Sequence, residues 1–118
     1  MSKESIIQNR SFQFALSIIE LYKILLENKE YILSKQLVRS GTSIGANVEE
    51  ASAGHSKKDF IAKMVIASKE ARETQYWLKL LNESNLVKID YSKYLNEIAQ
   101  IIKILTSIVK TSQENTND

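Results

Sequence analysis

The chain has no cysteine and no proline, and its 118 residues include only three glycines and one histidine. Without cysteine, disulfides and thiolate metal sites are excluded, which accords with a reducing cytoplasm. Without proline, and with glycine only at positions 41, 45 and 54, the principal helix breakers are almost missing and long helices become the default. The one histidine, His55, cannot supply the paired Glu-x-x-His motifs of carboxylate-bridged metal bundles or the ligand set of a zinc hydrolase. It is expected in an exposed loop. Long hydrophobic runs are missing too: nothing approaches the ~18 uninterrupted apolar residues of a membrane span, and Lys23 breaks the most apolar segment. Met1 is followed by Ser-Lys-Glu rather than by a charged and then apolar leader, so no signal peptide is expected. Charge of one sign is also lacking. The 16 basic and 14 acidic side chains leave a net charge of +2, too even a balance for global electrostatics to indicate nucleic acid. The expectation is a cytoplasmic protein without cofactor, metal or membrane.

What is present is helical periodicity. A chain of this length forms one domain, burying roughly two thirds of its unfolded surface. Apolar spacing predicts helices over 5–27, 30–53, 57–83 and 90–111, followed by a polar, fraying tail at 112–118. Tyr91, Tyr94, Leu95, Ile98, Ile101, Ile102, Leu105, Ile108 and Val109 recur at three- and four-residue steps, with Lys93, Glu97, Lys103 and Lys110 opposite. Phe60, Met64, Ala67, Ala71, Leu78 and Leu81 make the same seam in the third helix, with Thr74 at the missing step. Gly54 suits a left-handed helix end, Ser56 to Asp59 match a capping pattern, and Asp90 suits a cap. Short connectors make neighbours antiparallel, so the fold class is all-α, an antiparallel up-down-up-down four-helix bundle.

Two features exceed what a monomeric bundle needs. The first helix carries two apolar stripes: Phe12, Ala15, Ile19, Tyr22 and Leu26, and Phe14, Ile18, Leu21 and Leu25. A bundle helix buries about three sevenths of its positions in its own core, so one stripe is expected to join copies of the chain. The sequence does not say which; Phe14, Ile18, Leu21 and Leu25 are the candidate interface, and wide burial against two neighbouring helices is the alternative. The second helix has a thin apolar seam beside a polar one, in which Arg39, Ser43, Asn47 and Glu50, with Glu73 of the third helix, form the candidate structural polar network. Gly41, Gly45 and Ala46 add a small-residue patch where another backbone can come close.

Catalytic patterns are weak. Gly41-Thr-Ser-Ile-Gly45 lacks the Lys-Ser/Thr and the preceding strand of a phosphate loop. Glu49, Glu50, Glu70 and Glu73 could cluster, but solvated carboxylates are far commoner, and no serine stands on a nucleophile elbow. No enzyme activity is expected. On the third helix Lys58, Lys69, Arg72, Tyr76 and Lys79 share one stripe, a spacing that can follow phosphates with an aromatic available for stacking. A solvated face is the plainer reading. Oligomerisation would repeat the stripe and multiply its contacts.

Gln36 to Ser40, Ser43-Ile44, Asn47 to Glu50, Ser56 to Phe60 and Ile66-Ala67 followed by Glu73 resemble the 23S rRNA intervening-sequence proteins, also called the S23 or four helix bundle family. Glu49 stands where the family's pattern has alanine, and Lys69-Glu70 where Gly-Ser is common. The resemblance implies an antiparallel bundle that assembles into a homopentamer, without established catalytic activity. Relatives sit within insertions of ribosomal RNA genes or accompany the reverse transcriptases of diversity-generating retroelements. It also makes Arg39, Ser43, Asn47, Glu50 and Glu73 signature positions. The functional expectation is a homo-oligomeric interaction protein that meets RNA or a ribonucleoprotein through the Lys58–Lys79 stripe. The alternative is a protein-binding adaptor, for example of a reverse transcriptase or other polymerase, without nucleic-acid contact.

Overall fold

The computed structural model describes residues 2–116, the side chain of Thr116 excepted. Four helices follow one another: α1 Lys3–Glu27, α2 Leu33–Ser52, α3 Lys57–Ser84 and α4 Ser92–Thr116. Sequence neighbours pack side by side and α1 closes against α4, while the diagonal pairs α1/α3 and α2/α4 have no Cα atoms within 8 Å of one another. This is the expected up-down-up-down bundle. Its core is the expected seam: Leu37, Ile44 and Val48 of α2, Met64, Ala67, Ala71, Leu78 and Leu81 of α3, and Tyr94, Ile98, Ile101 and Leu105 of α4 are buried. No described helix is long and apolar enough to cross a membrane.

The helix ends explain the differences from the predicted boundaries. Ser2 starts α1 by accepting the Ser5 N–H at 3.1 Å, and Ser56 caps α3 by accepting that of Asp59 at 3.1 Å, as its spacing predicts. Glu30 is not the first turn of α2 but its cap. Its carboxylate accepts the N–H groups of Ile32, Leu33 and Ser34 at 3.2, 2.9 and 2.6 Å, so the helix begins three residues late. Burial alone would raise the Glu30 pKa, but those backbone donors outweigh it and hold the carboxyl below its ordinary value. Gly54 does not take up the left-handed conformation; the left-handed residues are Lys29 and Asn85, at φ 63° and 57°. Asp90 accepts the Ser92 N–H at 2.9 Å and opens α4. That helix runs through most of the expected tail to Thr116, and the last two residues of the tail lie outside the described ones. Tyr91 is buried, its hydroxyl donating to the Val87 carbonyl at 2.8 Å, which pins the α3–α4 connector to the bundle end.

Candidate functional site

The first helix settles which apolar stripe faces inward. Phe14, Ile18, Leu21 and Leu25, the candidate oligomer interface, are buried in the subunit's own core. They cannot also join copies, and that assignment is corrected. The physical reason is the approach of α2: Gly41 is buried against Ile18, where an added Cβ would lie 2.9 Å from its Cγ2, so α2 closes directly over this side of α1. The other stripe is only partly covered: Ala15, Tyr22 and Leu26 are half-buried, and two of its members stand outside. Phe12 is 59% and Ile19 36% exposed, and Leu16, which belongs to neither predicted stripe, is 46% exposed. With Ala15 they form one wall of a groove of about 320 Å³ whose other wall is Thr42, Gly45, Ala46 and Glu49 of α2. The small-residue patch thus has two uses: Gly41 lets the helices meet, and Gly45 and Ala46 keep the groove open.

The polar seam does not form one network. Ser43 donates to the Arg39 carbonyl at 2.7 Å and Asn47 to the Ser43 carbonyl at 2.8 Å, each bonding back along its own helix. Glu50 reaches Lys63 at 3.2 Å. Only Arg39 and Glu73 are brought together as expected, and they recruit residues outside the predicted set. Arg39 also contacts Glu70 at 3.4 Å and Gln36 at 3.3 Å, while Trp77 Nε1 donates to the same Glu73 oxygen that Arg39 holds, at 3.0 Å. Arg39 is nearly half exposed, so this α2–α3 clasp is a surface one, and such pairs contribute about 0–1 kcal/mol each. The i, i+4 spacing of Glu73 and Trp77 was the available signal for the indole. A second cross-helix pair went unread: Arg10 of α1 grips Glu97 of α4 through two bonds of 2.9 and 2.7 Å, a fork geometry that fixes orientation.

The basic stripe of α3 lies opposite its core face. Lys58, Lys69, Arg72, Tyr76 and Lys79 are all exposed, and the Tyr76 ring meets Trp77 edge-on at 5.1 Å between centroids. Of the carboxylates on this helix, Glu70 and Glu73 are turned aside to Arg39, while Asp59 stays exposed next to Lys58 in sequence. Among the described residues, none of the stripe's four cations is in an ion pair; Arg72 contacts only the hydroxyl of Thr106, at 3.4 Å. Exposed, unpaired cations along a helix face are suited to holding phosphates. His55 is exposed in the α2–α3 connector. The four glutamates do not gather, and no group of three metal-ligating side chains converges among the described residues.

The comparisons accord with this architecture. No curated protein matches the chain. A protein of unknown function from the S23 ribosomal protein family of Bacteroides thetaiotaomicron, known from a crystal structure at 1.70 Å resolution, is similar with a TM-score of 0.88 and 46% identity. The similarity covers 92% of this chain and 99% of that one. Residues 3–107 match the family described as 23S rRNA-intervening sequence protein. From its first helix to the last third of its fourth, the chain carries that family's pattern, and it belongs to the 23S rRNA-intervening sequence protein family.

Proposed function

We propose that the chain is a non-catalytic, self-associating interaction protein that meets RNA or a ribonucleoprotein through the outer face of α3. The observation that carries this reading is the disposition of two faces. The exposed apolar row of α1 (Phe12, Leu16, Ile19) and the unpaired cations of α3 stand on diagonal helices whose Cα atoms do not approach within 8 Å. Copies that bury the α1 row therefore leave the basic face outward. Burying large apolar side chains yields roughly 25 cal/mol per Å², and each added copy repeats the phosphate contacts. The family's description ties it to sequences that interrupt 23S rRNA, which accords with an RNA partner and a cytoplasmic setting.

Native mass spectrometry and RNA retention across a salt series test this. The expected result is an oligomer whose affinity for RNA falls by orders of magnitude between about 50 and 200 mM salt, and is lost when Lys69, Arg72 and Lys79 are changed to Gln together. A monomer at all concentrations, or no retention at low salt, rejects the reading. Exposed Ile66 and Tyr76 on the same helix favour the adaptor reading; capture of a protein partner that is insensitive to salt and to those three substitutions would establish it instead.

A further inference from the structure

Cations collect on both flanks of α4, not on α3 alone. The groove between α3 and α4, about 280 Å³, is lined by Lys69 and Arg72 from one side and Lys110 from the other, over Val65 and Val109. The groove between α1 and α4, about 350 Å³, is lined by Lys3, Arg10 and Lys103, over Ile6 and Ile104. Among the described residues no carboxylate lines either groove, although acidic and basic residues are nearly equal in number over the whole chain. Three other surface grooves each include one: Glu49, Glu4 and Glu30. Arg10 is committed to Glu97. Lys69, Arg72, Lys103 and Lys110 are in no ion pair among the described residues, and neither is Lys3, which donates to Ser107 of α4 at 2.6 Å.

The two grooves are separated by the width of one helix, about 10 Å, and Lys103 and Lys110 lie about 10 Å apart along the axis at 1.5 Å per residue. A single small anion can reach only one of these positions. A chain of regularly spaced phosphates can occupy them together, with sugar or base carbon against the valine and isoleucine floors. We infer that α4 is the ridge of a second phosphate-backbone surface, over which a nucleic-acid strand passes with phosphates seated in both flanking grooves. This rests on the RNA reading of α3, with which it shares Lys69 and Arg72, and it extends the contact across α4 to α1.

Fluorescence anisotropy with the full chain, a labelled single-stranded RNA oligonucleotide and the matching duplex tests it. Lys103→Gln/Lys110→Gln removes cations of α4 only, and Lys58→Gln/Lys79→Gln removes cations of α3 outside the grooves. All four are exposed, so the melting temperature and assembly mass should be unchanged, which circular dichroism and light scattering confirm. The α4 pair is expected to weaken RNA binding about tenfold or more at low salt. It should also flatten the dependence of log affinity on log salt by about 0.7 per lost contact for a single strand, or about 0.9 for a duplex. Wild-type affinity and slope in the α4 variant, with weakened binding in the α3 variant, would overturn the inference and leave the α3 reading standing. No RNA binding by the wild type at low salt, or binding to phosphatidylserine vesicles without binding to RNA, would overturn both.

Discussion

Ser40 of α2 and Thr74 of α3 meet hydroxyl to hydroxyl, 2.9 Å apart, with neither residue reaching solvent. Each oxygen also lies near a carbonyl of its own helix, Thr74 at 2.7 Å from Glu70 and Ser40 at 3.4 Å from Leu37. Two protons therefore have three acceptors, and no described buried side-chain polar atom is left without a partner. Because each hydroxyl keeps its local carbonyl, removing one does not orphan the other. Thr74→Val should cost about 1 kcal/mol or less, below the roughly 1–3 kcal/mol of an orphaned buried group. Urea unfolding of Ser40→Ala, Thr74→Val and the double variant measures the coupling. A loss above about 3 kcal/mol for Thr74→Val would show that the pair is not independently satisfied.

The two helix-interior glycines of α2 should respond oppositely to alanine. Alanine gains up to about 1 kcal/mol over glycine in a helix interior. At Gly45 the new Cβ would sit 3.4 Å from the Ser11 carbonyl oxygen, an ordinary contact, so Gly45→Ala should stabilise by a few tenths to about 1 kcal/mol. At Gly41 it would sit 2.9 Å from Ile18 Cγ2 in the core. Overpacking costs about 1–3 kcal/mol, so Gly41→Ala should lower the melting temperature. Thermal melts that move both variants in the same direction would contradict the assigned α1–α2 spacing.

Glu30 makes the start of α2 sensitive to acid. Its folded pKa lies below its ordinary value because three backbone N–H groups favour the carboxylate. The unfolded chain therefore binds the proton more readily, and the stabilisation is present above the ordinary value of 4.5 and lost as pH falls through the folded one. Glu30→Gln should cost about 1 kcal/mol at neutral pH. The gap between wild type and variant should narrow as pH falls below the unfolded value. Chemical unfolding of both proteins at neutral and acid pH reads this directly, and a gap that widens in acid would reverse the sign.

The helices were legible in the sequence because burial repeats at the period of the helix itself: Tyr94, Ile98, Ile101 and Leu105 point inward at the steps that named them. Their ends were less legible, since Glu30 reads equally well as a first-turn residue and as the cap it is. The inward stripe of α1 could not be read at all. Both stripes have helical spacing, and the choice is made by α2 closing on Ile18 at Gly41, a contact between residues far apart in sequence. The seam of α2 misled in part for a local reason: Ser43 and Asn47 bond their own helix, while Arg39 and Glu50 reach different residues of α3, so polar residues at bundle spacing did not make one network. The basic grooves beside α4 draw on Lys3, Lys69 and Lys110 from three helices, and only packing brings them to one surface.

The corrected inward stripe of α1 gives two neighbouring phenylalanines opposite signatures. Phe14 is 2% exposed, so Phe14→Asp removes a core ring and buries an unpaired charge. Losing the ring alone costs about 3–5 kcal/mol, a large share of the roughly 5–15 kcal/mol that holds a domain together. This variant should unfold rather than dissociate. Phe12, 59% exposed on the outer row, has no such role within the subunit, so Phe12→Asp should keep helical circular dichroism while placing a charge where copies are proposed to meet. Light scattering should then report a smaller mass for the Phe12 variant, and Leu16→Lys should reproduce it from the next turn. If the Phe12 and Leu16 variants instead keep the wild-type mass, the α1 row is not where copies join, and self-association must use another surface.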